Sequence, residues 1–308
     1  MAIEHEFKEF KYYLQNELGL AKNTVLAYER DISTYVYYLK KYPKLKSFRE
    51  LEEIHLKNYI NTLKKDHLKA SSYSRKISAL RSLHKFLSLG KDSWTDEDLG
   101  LTLKSPKQEQ RLPNVLNQED VFMILDSIKT DTELGMRNKA MLELLYATGL
   151  RVSELLDLRT SDLHINQSYL IARGKGDKER ILPINDACLN LLRDYIIKVR
   201  PKLSKAPLPY LFLNSSGKRL SRQGFFKLLK KIALEAGVYK DVTPHTIRHS
   251  FASHLLNNGV DLRFVQELLG HEDISTTQIY THLDKKRLKE IYETSHPHVV
   301  KAKTKKNQ

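Results

Sequence analysis

Cysteine is nearly absent: the 308 residues hold one, Cys188. A disulfide framework and a cysteine-based zinc site within the chain are therefore excluded, and a reducing cytoplasm is the expected setting. Long apolar runs are missing too. No stretch is long enough to span a bilayer, and the polar start of the chain does not read as a signal peptide. No repeat or low-complexity tract stands out. Acidic residues are in deficit, with 37 Asp and Glu against 52 Lys and Arg, a formal net charge of +15. No Trp-rich basic amphipathic helix points to a membrane surface. The surplus points instead to nucleic acid, whose phosphates reward many Lys and Arg contacts by counterion release.

The chain suits two domains, each large enough to bury a core. No strand pattern appears in the first hundred residues, which read as four helices. Phe7, Phe10, Leu14 and Leu18 have helical spacing before a stop at Gly19. Asn23 or Thr24 caps a second helix with the stripe Val25, Tyr28, Ile32, Tyr35 and Leu39, followed by Pro43. A third runs from about Leu51 to Lys65 and a fourth from Ser71 to Leu89, ended by Gly90. On the fourth, Ile77, Leu80, Leu83 and Leu87 form the core stripe. Its polar side carries Ser72, Arg75, Lys76 and Arg81, small hydroxyls and long cations suited to a DNA groove. A solvated face is the plain alternative.

Periodicity fades from Lys91 to Asn117, a Pro-containing, charged stretch that reads as a linker. The expected domains are residues 1–106 and 112–308. The second is mostly helical, with helices expected at Gln118 to Ile128, Met136 to Thr148, Asp186 to Val199 and Ser221 to Ala236. Three more follow: "HTIRHSFASHLLNN", "DLRFVQELLG" and a last one from Ser275 that carries Tyr280. One hairpin interrupts them, "SYLIAR" and "RILPI" around a Gly-Lys-Gly-Asp turn that holds Lys175.

His245 and His249 stand i,i+4, as in a zinc helix, but the Glu of His-Glu-x-x-His is missing and Arg248 between them would repel a cation. His254, His271 and His282 complete no tight ligand set, so no metal is expected. "RGKGDKER" lacks the spacing of a nucleotide-binding loop. An anion site fits better. His245 and Arg248 lie three apart on one helix edge, Arg151 follows the Gly149 turn, and His271 directly follows Gly270. Fixed cations and donors at element ends suit a phosphoryl transition state. Tyr280 can act as a nucleophile, although most of the 16 tyrosines must be ordinary core residues.

Taken together, "ATGLRVSELLDL", "GKGDKERILPI", "TPHTIRHSFASHLL" and "LLGHEDISTTQIYTH", with the linker "SPKQEQRLPNVL", resemble the tyrosine recombinase family and within it the bacterial Xer recombinases. The resemblance covers nearly the whole chain. It implies a mainly α protein: a helical core-site DNA-binding domain, then a mixed α/β catalytic domain, mostly helical with a small antiparallel sheet. By position, Arg151 and Arg248 would clamp the scissile phosphate and Lys175 would protonate the leaving 5′ oxygen. His245 would assist proton transfer at Tyr280, His271 would hydrogen-bond the phosphate, and Tyr280 would form a 3′-phosphotyrosyl bond. One phosphoester is exchanged for another, so no cofactor is required.

The resemblance also implies double-stranded DNA as substrate and a tetramer of protomers on two sites. A second Xer-type recombinase and a DNA translocase of the FtsK type are further expected partners, with chromosome dimer resolution in cell division as the role. The segment with Leu288, Ile291 and Tyr292 is expected to dock on a neighbouring protomer or on its own domain. The helical domain starts near residue 3, which favours the Xer type over a phage or transposon integrase with an extra arm-binding domain. A non-catalytic DNA-binding protein and a type IB topoisomerase-like enzyme are the more distant alternatives.

Overall fold

The structure is a computed structural model that describes residues 2–18, 20, 22–66, 68–89, 100, 103, 115–174, 179–270 and 294–297. The chain divides into two compact units, Met1–Arg111 and Leu112–Gln308. Each has its own hydrophobic core.

In the first unit α1 (Ala2–Tyr12) continues into a π-helical turn at Tyr13–Glu17. It is followed by α2 (Lys22–Leu39), α3 (Glu53–Lys65) and α4 (Ala70–Leu87). No strand occurs among its described residues. The stripes read for α2 and α4 are buried faces: Val25, Ile32, Tyr35 and Leu39 of α2 pack with Ile77, Leu80, Leu83 and Leu87 of α4, with Tyr28 half-buried beside them. Leu18, expected in the first stripe, is exposed. Leu103 joins this core and Leu116 joins the core of the second unit. Both leucines fall inside the expected linker and are nevertheless docked on these cores. Isolated leucines in a charged stretch carry no periodicity that would reveal it.

The second unit is built around α6 (Glu133–Thr148), preceded by α5 (Gln118–Asp126). Every residue from Ala140 to Thr148 is buried, as expected of a helix that is apolar nearly all round. It is capped by Thr132, whose hydroxyl accepts from the Gly135 N–H, so it begins three residues before the expected Met136. Around it lie α7 (Val152–Asp157), α8 (Asp186–Asp194), α9 (Arg200–Leu203), α10 (Arg222–Glu235), α11 (Pro244–Asn257) and α12 (Leu262–Leu269).

The hairpin forms as β2 (Tyr169–Arg173) and β3 (Glu179–Pro183), with a short β1 (Leu163–His164) completing an antiparallel sheet in the order β1-β2-β3. A two-residue strand gives no alternation to read, which is why the sequence shows only the hairpin. Residues 294–297 pack on this unit. His296 is fully buried, edge-on to the Tyr146 ring, and Asn258 Nδ2 donates to the Ser295 carbonyl at 2.7 Å. Leu288, Ile291 and Tyr292 lie outside the described residues.

Candidate active site

The site grows from the end of α6. Gly149 caps that helix in the left-handed region (φ 61°), its N–H on the Leu145 carbonyl at 2.9 Å. A Cβ there would lie 2.4 Å from Phe251 Cδ1, so packing and backbone both demand glycine. The stop puts Arg151 at the N-cap of α7, with its side chain 42% exposed and thus open to a ligand. Glu154, three residues on, reaches back to the Arg151 N–H (2.7 Å) and also accepts from Arg151 Nη1 (3.0 Å).

A second guanidinium shares this carboxylate. Arg180 of β3 donates Nη1 to Glu154 Oε1 (2.9 Å) and Nη2 to Oε2 (2.8 Å). Arg180 pairs across the sheet with Ala172, whose small side chain leaves room on the buried face. A third, Arg248 of α11, is buried with Nη1 on the Gly149 carbonyl and Nη2 on that of Leu269, both at 2.6 Å.

All three arginines converge on the C-terminal end of α12. The Leu268 carbonyl accepts from Arg180 Nε (2.8 Å), Leu269 from Arg248, and Gly270 from Arg151 Nη2 (2.8 Å). Carbonyls at a helix end lack intrahelical partners and carry the negative end of the dipole, so they hold cations well. Three guanidiniums against one carboxylate leave a positive centre. Burial, together with the Arg151 and Arg180 charges, pushes Arg248 down to about 10, partly offset by Glu154. It stays protonated at neutral pH. Burial alone would raise the Glu154 carboxyl, but the bond and charge of Arg180 and those of Arg151 bring it below the ordinary value. The arrangement is suited to a phosphate.

His245 is exposed in the first turn of α11. That turn is rigid: Thr243 and Thr246 cap each other reciprocally, Thr246 N–H to Thr243 Oγ1 (3.1 Å) and Thr243 N–H to Thr246 Oγ1 (2.7 Å), with Pro244 first in the helix. The two members of the expected His245–Arg248 edge thus differ, the arginine turned inward and the imidazole left at the surface. His249 is half-buried beside them. Lys175, His271 and Tyr280 lie outside the described residues. The strand ends on either side of residue 175 are described: Arg173 of β2 lies opposite Glu179 of β3 and bonds to it at 3.1 Å. Gly270, the residue before His271, caps α12 in the left-handed region with φ 64°.

Glu154 and Arg180 escaped the sequence reading. Glu154 had a signal, an acid at the third helical position after a turn. Arg180 had one too, a cation in the inward register of β3, where charge needs a buried partner.

In the first unit the polar side of α4 is partly engaged. Arg75 makes an ion pair with the buried Asp31 of α2, Nε to Oδ2 and Nη2 to Oδ1, both at 3.1 Å; Lys76 Nζ lies 3.3 Å from Oδ1. Arg81 donates to the Leu103 carbonyl. Ser72 is half-buried in the first turn.

Fold and site together define an enzyme class. Residues 114–287 match the Phage integrase family and residues 7–90 its N-terminal SAM-like domain. The chain belongs to this family and is a tyrosine-type site-specific recombinase. It is 46% identical over 297 residues to tyrosine recombinase XerD of Oceanobacillus iheyensis, covering 96% of this chain and 99% of that one. To tyrosine recombinase XerD of Listeria innocua it is 47% identical over 291 residues, 94% and 97% of the two chains. Among solved structures, XerH site-specific recombinase bound to difH substrate matches at a TM-score of 0.65 and 26% identity, over 86% of this chain and 78% of that one. The Tn1549 transposon integrase in complex with a circular intermediate DNA matches at 0.67 and 16% identity over 98% and 99%, a likeness of fold.

Proposed function

We propose that this recombinase binds double-stranded DNA as four protomers on two sites and exchanges strands at a chromosomal terminus site, resolving chromosome dimers during cell division. The full-length similarity to tyrosine recombinases XerD supports the chromosomal role. In this reading Arg151 and Arg248 clamp the non-bridging oxygens of the scissile phosphate. The single observation that carries it is their convergence on the Leu269 and Gly270 carbonyls, the two residues before His271. Tyr280 attacks phosphorus, its proton passing toward His245. The 3′-phosphotyrosyl bond forms as the bond to the 5′ oxygen breaks, and Lys175 protonates that oxygen. His271 hydrogen-bonds the phosphate. A free tyrosine has a pKa of about 10, so attack at neutral pH needs proton removal and charge stabilisation together. Removing one fixed donor at such a charge costs on the order of 100- to 1000-fold in rate. Ser72, Arg75, Lys76 and Arg81 on α4 contact the DNA outside the cleavage point. A second Xer-type recombinase and an FtsK-type translocase are the partners this role calls for.

The test is a nicked suicide duplex carrying the terminus site, compared with transposon-end duplexes. The unsubstituted chain should form an SDS-resistant adduct on the terminus site, and Tyr280→Phe should bind it without forming one. An adduct with Tyr280→Phe would remove Tyr280 as nucleophile. Cleavage of element ends alone would remove the chromosomal role.

A further inference from the structure

Glu154 has four donors on its two oxygens: the N–H and Nη1 of Arg151, and Nη1 and Nη2 of Arg180. The same Arg180 guanidinium holds the Leu268 carbonyl through Nε. It also lies against Gly270, where an added Cβ would meet its Cδ at 3.2 Å and its Nη1 at 3.3 Å. Arg180 thus touches both groups that the Arg151 guanidinium bonds: Glu154 on one side and the end of α12 on the other. It sits in β3, which begins at Glu179, four residues after Lys175. We propose that Arg180 is a positioning residue for the cleavage step, fixing the Arg151 guanidinium through Glu154 and the Gly270 exit of α12 through the Leu268 carbonyl. This rests on the reading of Arg151 as a phosphate clamp.

The geometry uses all of the guanidinium fork. Three N–H groups in a plane span a carboxylate edge and a carbonyl, which the single point of a lysine ammonium cannot do. Arg180→Lys keeps the charge and the strand and loses the fork. Without it Glu154 is left with the Arg151 donors alone and is free to pivot with them. A misplacement of about 1 Å at a clamp costs on the order of 100-fold in rate.

The experiment uses the full chain and the nicked duplex on which the unsubstituted protein forms its adduct. Single-turnover adduct formation and half-site binding are measured for Arg180→Lys, Arg180→Gln, Arg151→Lys and the Arg151→Lys/Arg180→Lys double variant, with melting curves for each. Arg180→Lys is expected to slow adduct formation about 10- to 100-fold while half-site affinity stays within about twofold. Because Arg180 acts through Arg151, the double variant should be slower than Arg151→Lys by no more than about threefold, where independent residues would multiply. Should Arg180→Gln melt early, Arg180→Lys carries the comparison. Full-rate cleavage by Arg180→Lys overturns the proposal, as does a multiplicative double variant. Melting temperature, affinity and adduct yield falling together would mark a mere fold prop, and would also overturn it. If Arg151→Lys cleaves at full rate, the phosphate-clamp reading itself fails, and this proposal with it.

Discussion

His84 is fully buried on α4, its ring 6.2 Å from that of Tyr35, and neither of its nitrogens has a hydrogen-bond partner among the described residues. Burial pushes it down to about 4 from an ordinary 6.5. The folded state therefore binds this proton less readily than the unfolded chain. Its contribution to stability is complete above pH 6.5 and is lost as pH falls toward 4, on the order of 3 kcal/mol in all. His84→Leu should flatten this slope, seen as urea midpoints between pH 7 and 4, at little cost at pH 7, because no partner is left unpaired. Glu154 acts in a lower window: its depressed carboxyl adds stability above its ordinary value of 4.5 that disappears as pH falls through the folded value. Glu154→Gln should remove that acid dependence from the melting of the full chain.

The turn from α6 to α7 and the cap of α12 both rest on left-handed glycines, and only their neighbours show how strictly. At Gly149 the obstacle is the buried Phe251 ring, which cannot step aside. Gly149→Ala should cost about 2–4 kcal/mol, from the left-handed backbone and overpacking together, as read from thermal unfolding. The helix α11 has a further task. Ser250 Oγ accepts the Leu116 N–H at 2.9 Å and His254 Nε2 donates to the Leu116 carbonyl at 2.9 Å; Nδ1 then accepts from the Tyr146 hydroxyl, also at 2.9 Å. One residue of the expected linker is held by both its backbone groups. Ser250→Ala should destabilise the chain by about 1–3 kcal/mol, because a buried N–H loses its acceptor; a urea midpoint equal to that of the unsubstituted chain would contradict this.

At the scale of the whole molecule the +15 charge predicts DNA affinity that falls steeply with salt. Lys76→Ala should lower the slope of log K against log salt by about 1 if its ammonium leaves Asp31 for a phosphate. An unchanged slope would mean that Lys76 serves Asp31 alone. The two-part division, the helical first unit, the hairpin and the Gly149 and Gly270 stops were all legible in the chain, because periodicity and left-handed turns are local properties. The same local logic placed Arg151 at the start of α7 and His245 in the first turn of α11, whereas Arg248 lies one turn further in and is buried. The start of α6 was less legible: it begins after the Thr132 cap, three residues before the expected Met136.

Composition and local pattern by themselves determined a basic, mainly helical, two-part protein. Tertiary structure decided which groups answer one another. Glu154 and Arg180 are 26 positions apart, and Arg151 and the Gly270 carbonyl are 119 apart. No periodicity links such positions; only the packing of α7, β3, α11 and α12 does. Buried charge must find opposite charge or a carbonyl. The sequence therefore demanded partners for Arg180 and Arg248, and the fold alone chose the end of α12 to supply them.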